Sequence, residues 1–292
     1  MLRTNEDRLV EVAVVGEPSH PTSPGAWRVT PSGEPLMLPG TGGICTNVRV
    51  GDPVLGFECD HLEPAVSLKN PDANKNNGLN LYACVGNEAV VLDGPAEGEK
   101  GVVTGKHGGI EHVFIDFPEA VLRKLRYGNK IQVWGRGMGL KLLDAPEVSV
   151  NNLDPRMLKK MKVKVKDGRL QVKVAKSIPA CIMGSGLGRD NVARGDYDVQ
   201  LSDPAVVAEY GLADLRLGDI VAILDADNTY GRIYKTGAIT VGIVVHGGCV
   251  TAGHGPGVTT LFTSTSGAID VTTDAKANIA TRNITPEQAS AT

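Results

Sequence analysis

Two runs of β-branched residues, "AITVGIVV" at 238–245 and "VTTLFTS" at 258–264, predict the fold class because each is long enough for a buried strand. The segment between them, "HGGCVTAGHGPG" at 246–257, contains His246, His254, five glycines and a proline. A single tight turn needs only one or two glycines. Five of them indicate that the backbone passes very close to another group, or that the loop folds over a site.

Shorter runs of the same kind occur along the chain and are separated by glycine, proline and asparagine turns, which is typical of a β-rich protein. They are "LVEVAVV" (9–15), "LNLYACV" (79–85), "HVFIDF" (112–117), "KIQVW" (130–134) and "DIVAIL" (219–224). The segment "KVKVKDGRLQVKV" (162–174) alternates around Asp167 and Gly168. It predicts a hairpin with a type I′ turn and a solvated lysine face.

Helical signals are few and short. They occur in "PEAVLRKLRYG" (118–128), in "DPRMLKKM" (154–161) after a capping Asp154, and in "SDPAVVAEYG" (202–211). The predicted fold is therefore mainly β, or β-rich α+β, with two barrel- or sandwich-like lobes and a few short helices over the open ends.

The predicted division of the chain is an N-terminal β-rich lobe (1–152), a C-terminal β-rich lobe (153–275) and a polar tail (276–292). The tail either frays or lies across a neighbouring subunit. A glycine-rich, β-branched chain has strand edges to cover, so we expect a homo-oligomer.

One short pattern recurs as "RVGDPVLGF" (49–57), "RYGNKIQVW" (126–134) and "RLGDIVAIL" (216–224). Gly-Asp is a favourable turn before a strand, which explains the pattern locally. The alternative is a structural repeat in which related barrels contribute strands to a common site.

Composition excludes several classes of protein. The 292 residues carry a net charge of −3, with 41% hydrophobic and only 4% aromatic residues, so neither nucleic acid nor an anionic membrane is an expected partner. The five cysteines lack CxxC spacing, which favours reduced thiols. A charged start and the lack of a long apolar run predict a soluble, cytoplasmic protein.

Five of the six histidines fall in three short segments, and these are the candidate metal ligands. The segments are "FECDHLEP" (57–64) with His61, "VTGKHGGIEH" (103–112) with His107 and His112, and the glycine-rich loop with His246 and His254. Asp60 and Glu63 place carboxylates near His61. Imidazole and carboxylate at strand ends suit a divalent ion such as Zn, Mn or Fe, although each histidine could instead be satisfied separately in the core.

A second candidate site is "IMGSGLGRDNVARGDYDV" (182–199). Gly184, Gly186 and Gly188 could present backbone N–H groups to an anion, with Arg189 or Arg194 adding charge. The alternative is a glycine-rich crossing where two backbones pack closely. Three acidic residues of the segment are available as bases or ligands: Asp190, Asp196 and Asp198.

The segments "GVVTGKHGGIEHV", "IMGSGLGRDN", "GDYDV" and "VVHGGCVTAGHGPGVTTL" resemble an uncharacterised bacterial family of the domain of unknown function 4438 type, over nearly the whole chain. A remoter resemblance is to the acetamidase/formamidase family of amide hydrolases, through the order "GLGRDN", "RLGDIVAIL", "VHGGCVTAGHGPG". The last loop lacks the acidic residue of that family, so a general base would have to come from Asp190 or Glu63.

The functional expectation is a metal-assisted hydrolase of a small amide-like or carbonyl substrate. In it Lys106 stabilises the oxyanion, and Asp190 or Glu63 accepts the proton. The alternatives are a non-catalytic homo-oligomeric binding or assembly protein, and an enzyme that binds a phosphorylated metabolite at Gly184–Arg194. At least two of the five histidines are expected to converge on one site.

Overall fold

The computed structural model describes residues 2–22, 27–186 and 192–282. The strands are β1 (Val12–Pro18), β2 (Arg28–Val29), β3 (Pro35–Leu36), β4 (Val66–Lys69), β5 (Glu88–Val91), β6 (Lys100–His107), β7 (His112–Asp116), β8 (Ile131–Gly135), β9 (Ser149–Val150), β10 (Lys164–Lys166), β11 (Arg169–Val174), β12 (Lys176–Pro179), β13 (Met183–Gly186), β14 (Tyr197–Val199), β15 (Ile220–Asp227), β16 (Ile233–Val244), β17 (Gly257–Ser264) and β18 (Ile269–Thr273). The helices are α1 (Ala73–Tyr82), α2 (Glu119–Leu122), α3 (Pro155–Met161) and α4 (Pro204–Glu209). Short 3-10 turns lie at Glu6–Arg8, Gly94–Ala96, Ala180–Ile182, Val192–Arg194 and Ile279–Arg282.

Six strands of the N-terminal half close into a barrel in the order β1-β4-β7-β6-β5-β8, and every neighbouring pair is antiparallel. Strand β8 shows the alternation that a barrel strand requires. Ile131 and Val133 are buried, whereas Trp134, between Val133 and Gly135, is exposed. A strand with this two-residue alternation has one face for the barrel interior and one for the surface. The predicted barrel-like lobe is confirmed.

The C-terminal half forms a curled sheet in the order β12-β15-β16-β17-β14-β13, with β9 paired to β17. Every residue of β17 is buried. A strand that is covered on both faces has apolar or β-branched residues at successive positions, which explains why "VTTLFTS" lacks alternation. A smaller sheet, β10-β11-β18, flanks this one.

The two halves share a core, and this contact positions the candidate site. Val102 and Phe114 of the barrel pack in one cluster with Val245 and Phe262 of the second sheet. A Cβ atom on Gly105 would collide with the side chain of Val245. Glycine at 105 therefore lets β6 approach the end of β16, which brings the residues that follow Gly105 and Val245 together.

Several local predictions are confirmed. Asp167 and Gly168 have φ values of 52° and 75°, the signs that a type I′ turn requires, and Lys166 pairs with Arg169 across it. Asp154 caps α3 by accepting a hydrogen bond from the N–H of Arg156 at 2.6 Å.

The prediction of a strand at 79–85 is wrong, because residues 79–82 belong to α1. Asp72 caps this helix by accepting from the N–H of Lys75 at 3.0 Å. Asn76 and Asn80, inside the helix, both donate to the carbonyl of Glu111. The helix depends on buried asparagines that bond to the β6–β7 connection, so its apolar residues carry no helical periodicity.

The three Arg-x-Gly-Asp/Asn copies share one local turn. In each, the side-chain oxygen of the Asp or Asn accepts a hydrogen bond from the N–H of the Arg three residues earlier, at 2.7 to 2.8 Å (Arg49 and Asp52, Arg126 and Asn129, Arg216 and Asp219). The intervening glycines have φ between 83° and 102°. This turn explains the pattern locally. No strand directly follows the first copy. The first copy instead hydrogen-bonds to the third, because the N–H of Gly51 donates to the carbonyl of Leu217.

The start of the predicted polar tail packs on its own chain. Ala277 and Ile279 are buried in the core, and Asn278 donates to the carbonyl of Leu217 at 2.9 Å. Residues 283–292 lie outside the described part. Within the described residues, no helix is long and apolar enough to cross a membrane.

Candidate metal centre

Backbone pairing brings the three histidine segments to one end of the barrel. His107 ends β6 and faces His112, the first residue of β7, across the hairpin. His246 follows the end of β16 directly after Val245. Leu62 and Gly247 exchange backbone hydrogen bonds of 2.7 and 3.1 Å, so the loop that carries His61 is tied to the loop that carries His246.

Four of the five imidazoles form one cluster. The ring centroids of His107 and His246 are 4.2 Å apart, and those of His61 and His254 are 4.8 Å apart. His61 also lies 5.8 Å from His107 and 5.7 Å from His246. Histidines that were separated by up to 193 positions thus share one small volume.

The inner set consists of His107, Asp196 and His246, and all three are buried. His246 Nε2 lies 2.8 Å from Asp196 Oδ2. Among the described residues, however, neither ring nitrogen of His246 nor Asp196 Oδ2 has a hydrogen-bond partner, because the contact lacks hydrogen-bond geometry. Buried polar atoms without partners cost stability. A nitrogen and a carboxylate oxygen close together but not bonded to each other are suited to share a cation.

Glu63 orients His107 of the inner set through hydrogen bonds. Its carboxylate accepts from His107 Nδ1 at 2.5 Å, His112 Nδ1 at 2.8 Å, Ser67 Oγ at 2.5 Å and the Gly42 N–H at 2.6 Å. Burial alone would raise the pKa of Glu63, but these hydrogen bonds lower it far below its usual range. With Nδ1 of His107 donating to Glu63, Nε2 of His107 is the free acceptor. This carboxylate–histidine arrangement is the one that orients metal-binding imidazoles.

The outer set consists of His61, Cys249 and His254. Cys249 Sγ is 3.3 Å from His61 Nε2, and His61 Nε2 is 3.0 Å from His254 Nδ1. Asp60 accepts from His61 Nδ1 at 3.2 Å. Asp60 also pairs with the guanidinium of Arg28 at 2.8 Å.

Asp198 lies between the two sets. Its Oδ2 is 2.9 Å from His254 Nδ1, and its Oδ1 is 3.6 Å from His246 Nε2. Burial opposes the charged form of Asp198, but the neighbouring His246 and His254 lower its pKa well below the usual range. Burial likewise opposes the charge of His246, but Asp196 and Asp198 outweigh it and raise the pKa of His246 to about 10. The two carboxylates therefore favour positive charge at the position of His246 Nε2.

Close packing of the backbone explains why the 246–257 loop contains so many glycines. A Cβ atom on Gly257 would fall on Asp196 Oδ2 and His246 Nε2. On Gly255 it would strike the carbonyl of Val199, and on Gly247 it would lie 2.8 Å from that of Val54. The backbone has to pass very close to its neighbours, and at Gly257 the neighbours are the candidate ligands.

A cleft of about 540 Å³ opens over the cluster. His61, His107 and His254 line it together with two basic residues, Arg28 and Lys69. Its size is within the range of sites for small molecules.

Comparison with known proteins extends over most of the chain. Residues 27–159 match the model described as "Domain of unknown function (DUF4438), N-terminal", and residues 160–282 match its C-terminal counterpart. The chain belongs to the DUF4438 family. The two family models meet between residues 159 and 160, and the lobe boundary at 152–153 stays a prediction.

A solved structure of the same fold, titled "Crystal structure of TM1086", is 45% identical to this chain, with a TM-score of 0.92. The match covers 96% of this chain and 98% of that one. No curated protein matches the sequence. The likeness to acetamidases and formamidases is not supported by these comparisons, so a hydrolase function rests on the site alone.

Lys106, the predicted oxyanion donor, lies apart from the cluster in this DUF4438 chain. Neighbouring residues of a strand point to opposite faces, so the side chain of Lys106 leaves β6 on the side away from His107. Its Nζ donates to Asn152 Oδ1 at 2.8 Å and to the carbonyl of Ala193 at 2.6 Å. Burial lowers the pKa of Lys106 to about 8. We therefore assign it no contact with a substrate.

The predicted anion loop is only partly described. A Cβ atom on Gly184 would strike the carbonyl of Gly253, and one on Gly186 would strike Tyr197, so both glycines serve close packing. Arg194 is paired with Glu111 at 2.5 Å. Three predicted residues lie outside the described residues: Gly188, Arg189 and Asp190.

The sequence offered Asp196 and Asp198 as bases or ligands but did not connect them with the histidines. They alternate along "GDYDV", directly before and within β14, and this period places both side chains on the side that faces the histidines. Cys249 is the member of the two sets that the sequence did not single out. Cys249 lies in the same loop as His246 and His254. Its position between two candidate ligands was the available signal. Glu63, proposed as a proton acceptor, already accepts four hydrogen bonds and positions His107 instead.

Proposed function

We propose that this protein is a metal-dependent hydrolase of a small amide-like or carbonyl substrate, with a divalent ion such as Zn, Mn or Fe held by the inner set. The observation that carries the proposal is the buried pair of His246 and Asp196, whose facing nitrogen and oxygen atoms have no hydrogen-bond partner among the described residues. His107 supplies the third donor, and Glu63 keeps its Nε2 free of a proton. Imidazole and carboxylate are the donors that such ions take in catalytic sites.

Three protein ligands leave a coordination position for water, which is the pattern of catalytic rather than structural metal sites. A bound ion would lower the pKa of such a water to about 7 and would supply hydroxide near neutral pH without a separate carboxylate base. Neither Glu63 nor Asp190 is therefore needed as the proton acceptor.

Such an ion would supply a nucleophilic water and would polarise the carbonyl oxygen of a substrate in the cleft. The water oxygen would bond to the carbonyl carbon and the carbon–nitrogen bond would break. The amine would leave with a proton taken from solvent, which replaces the proton that the water had released to solvent. The cleft volume of about 540 Å³ suits a small substrate.

Metal analysis of the purified protein is the first test. We expect stoichiometric divalent metal after incubation with Zn²⁺, Mn²⁺ or Fe²⁺ and gel filtration. His246→Ala should lose the ion of the inner set. His20→Ala should keep it, because the ring of His20 stacks on Tyr127 rather than in the cluster. Protein that retains none of the three ions would contradict the proposal.

Turnover separates an enzyme from a binding protein. Acetamide and p-nitrophenyl acetate are suitable probes, and hydrolysis should depend on the loaded metal and be lost in His246→Ala. Metal binding without hydrolysis of either probe would favour the non-catalytic alternative. The predicted homo-oligomer stays a prediction that light scattering can test.

A further inference from the structure

The outer set repeats the design of the inner set. In the inner set Glu63 accepts from His107 Nδ1, which leaves Nε2 of His107 as an acceptor. In the outer set Asp60 accepts from His61 Nδ1, which leaves Nε2 of His61 as an acceptor. A carboxylate that fixes the tautomer of an imidazole is the usual support of a metal-binding histidine. The cluster contains this support twice.

Two contacts of the outer set converge on one ring nitrogen, Nδ1 of His254. His254 Nδ1 lies 2.9 Å from Asp198 Oδ2 and 3.0 Å from His61 Nε2. Both of these atoms are acceptors, and one proton on Nδ1 can serve only one of them. A cation in place of that proton would be shared by the two nitrogens and the carboxylate.

Cys249 is placed as a third donor. Its Sγ is 3.3 Å from Nδ1 and also 3.3 Å from Nε2 of His61, and it lies 3.4 Å from Asp60 Oδ1. The sulfur therefore faces the same small space as the imidazole nitrogens of His61 and His254, where a cation could replace the thiol proton.

The donor spacing fits an ion. Two imidazole nitrogens on one tetrahedral zinc ion are about 3.3 Å apart, and a nitrogen and a thiolate sulfur are about 3.6 Å apart, from Zn–N of about 2.05 Å and Zn–S of about 2.3 Å. The corresponding distances in the outer set are 3.0 Å and 3.3 Å. The set is slightly tighter than a loaded zinc site and needs only a small expansion.

From this geometry we propose that the outer set of His61, Cys249 and His254 binds a second, thiolate-compatible divalent ion, of which Zn²⁺ is the type, and that Asp198 bridges the two ions. The bridge follows from its oxygens, since Oδ2 faces the outer set and Oδ1 faces the inner set. The proposal rests on the proposed function for the inner ion and extends it to a two-metal centre.

The two ions would have different roles because their exposure differs. The outer set reaches the cleft through His61 and His254, and the side chain of His254 is 33% exposed. The inner set reaches it only through His107, and the side chain of His246 is fully buried. A substrate in the cleft would therefore meet an outer ion first, which would polarise its carbonyl oxygen, while an inner ion would supply hydroxide.

Metal stoichiometry and cobalt spectra test the second ion separately from the first. Wild-type protein loaded with Zn²⁺ should contain two ions per chain, and both Cys249→Ser and His254→Ala should contain one. With Co²⁺, the wild type should show a thiolate-to-metal charge-transfer band in the near ultraviolet. The band should be absent from Cys249→Ser and retained in His246→Ala. Cys181→Ser is the matched control, since Cys181 is an exposed free thiol.

The outcomes distinguish the two proposals. One zinc ion that depends on His246, with no thiolate band, would overturn the second site and leave the proposed function standing. Retention of two ions in Cys249→Ser would overturn the ligand assignment. No bound metal in the wild type would overturn both proposals.

Discussion

The inner and outer sets are built from similar parts and differ in exposure. The inner set lies among residues shielded by β6, β14 and β17, and its unpartnered atoms are sealed from solvent. Only His107 of the inner set reaches the cleft, whereas the outer set opens to it through both His61 and His254 and includes a thiol. This difference in exposure indicates how one cluster can hold a reactive group in its buried half and admit a substrate through its open half. The buried half is pre-organised by many fixed contacts, whereas the open half keeps fewer contacts and can exchange its ligand.

Glu63→Gln should have the largest effect on the inner set. The amide oxygen of Gln can replace the carboxylate oxygen that faces His112, Ser67 and Gly42, which leaves the NH₂ group facing His107 Nδ1. His107 would then have to accept at Nδ1 and carry its proton on Nε2, so it could no longer bind an ion there. We expect a loss of about 1.5 to 3 kcal/mol in the free energy of unfolding, as for a lost hydrogen bond to a buried charged group. Urea denaturation with a metal assay measures both effects.

The matched control is Glu119→Gln, which alters an exposed pair with Arg123. This change should cost less than about 1 kcal/mol. If the two variants lost similar stability, Glu63 would not be the organising residue of the inner set.

Gly257→Ala should remove the inner ion with a smaller loss of stability. The added methyl group would occupy the space beside Asp196 Oδ2 and His246 Nε2. Overpacking of this kind costs about 1 to 3 kcal/mol. Titration with Zn²⁺ should show one fewer site.

Gly78→Ala is the corresponding control, because a methyl group at this position of α1 would have only ordinary contacts with Tyr82, at 3.9 Å. It should raise stability by about 0.5 to 1 kcal/mol and leave metal content unchanged. A normal inner ion in Gly257→Ala would show that the space beside Gly257 is not used by the metal.

Asp60→Asn should weaken only the outer set. The amide can still accept from His61 through its oxygen but loses its charge and the ion pair with Arg28. Loss of such a supporting carboxylate typically lowers metal affinity about 10- to 100-fold. Competition with a fluorescent zinc chelator should show this decrease at one of the two sites. An equal decrease at both sites would mean that the two sets do not act separately.

Removal of metal with a chelator should distinguish the inner and outer sets only by the rates at which they release their ions. This is the smallest of the expected effects. The outer ion should leave first because its ligands line the cleft, and the inner ion should leave in a slower second phase. Stopped-flow release followed in wild type and in Cys249→Ser resolves the phases, since the variant should show only the slow one. A single phase of unchanged rate in both proteins would contradict the difference in exposure.

Local chemistry explains which elements could be predicted. The type I′ turn at Asp167 and Gly168 and the cap of α3 by Asp154 depend on residues that are adjacent in the chain. Helix α1 was missed because its buried asparagines are satisfied by Glu111, more than thirty positions away. Its residues carry no local sign of that partner.

By itself, the sequence determined that the chain is β-rich and that five of its six histidines lie in glycine- or acid-rich segments at strand ends, since alternation, turns and composition are local properties. Only the tertiary structure decided which histidines meet, which of them Glu63 and Asp60 hold, and that Lys106 points elsewhere. It also decided that Asp196, Asp198 and Cys249 complete the cluster. These relations depend on the approach of β6 to β16 through Gly105 and Val245, a contact between residues 140 positions apart that leaves no local pattern in the chain.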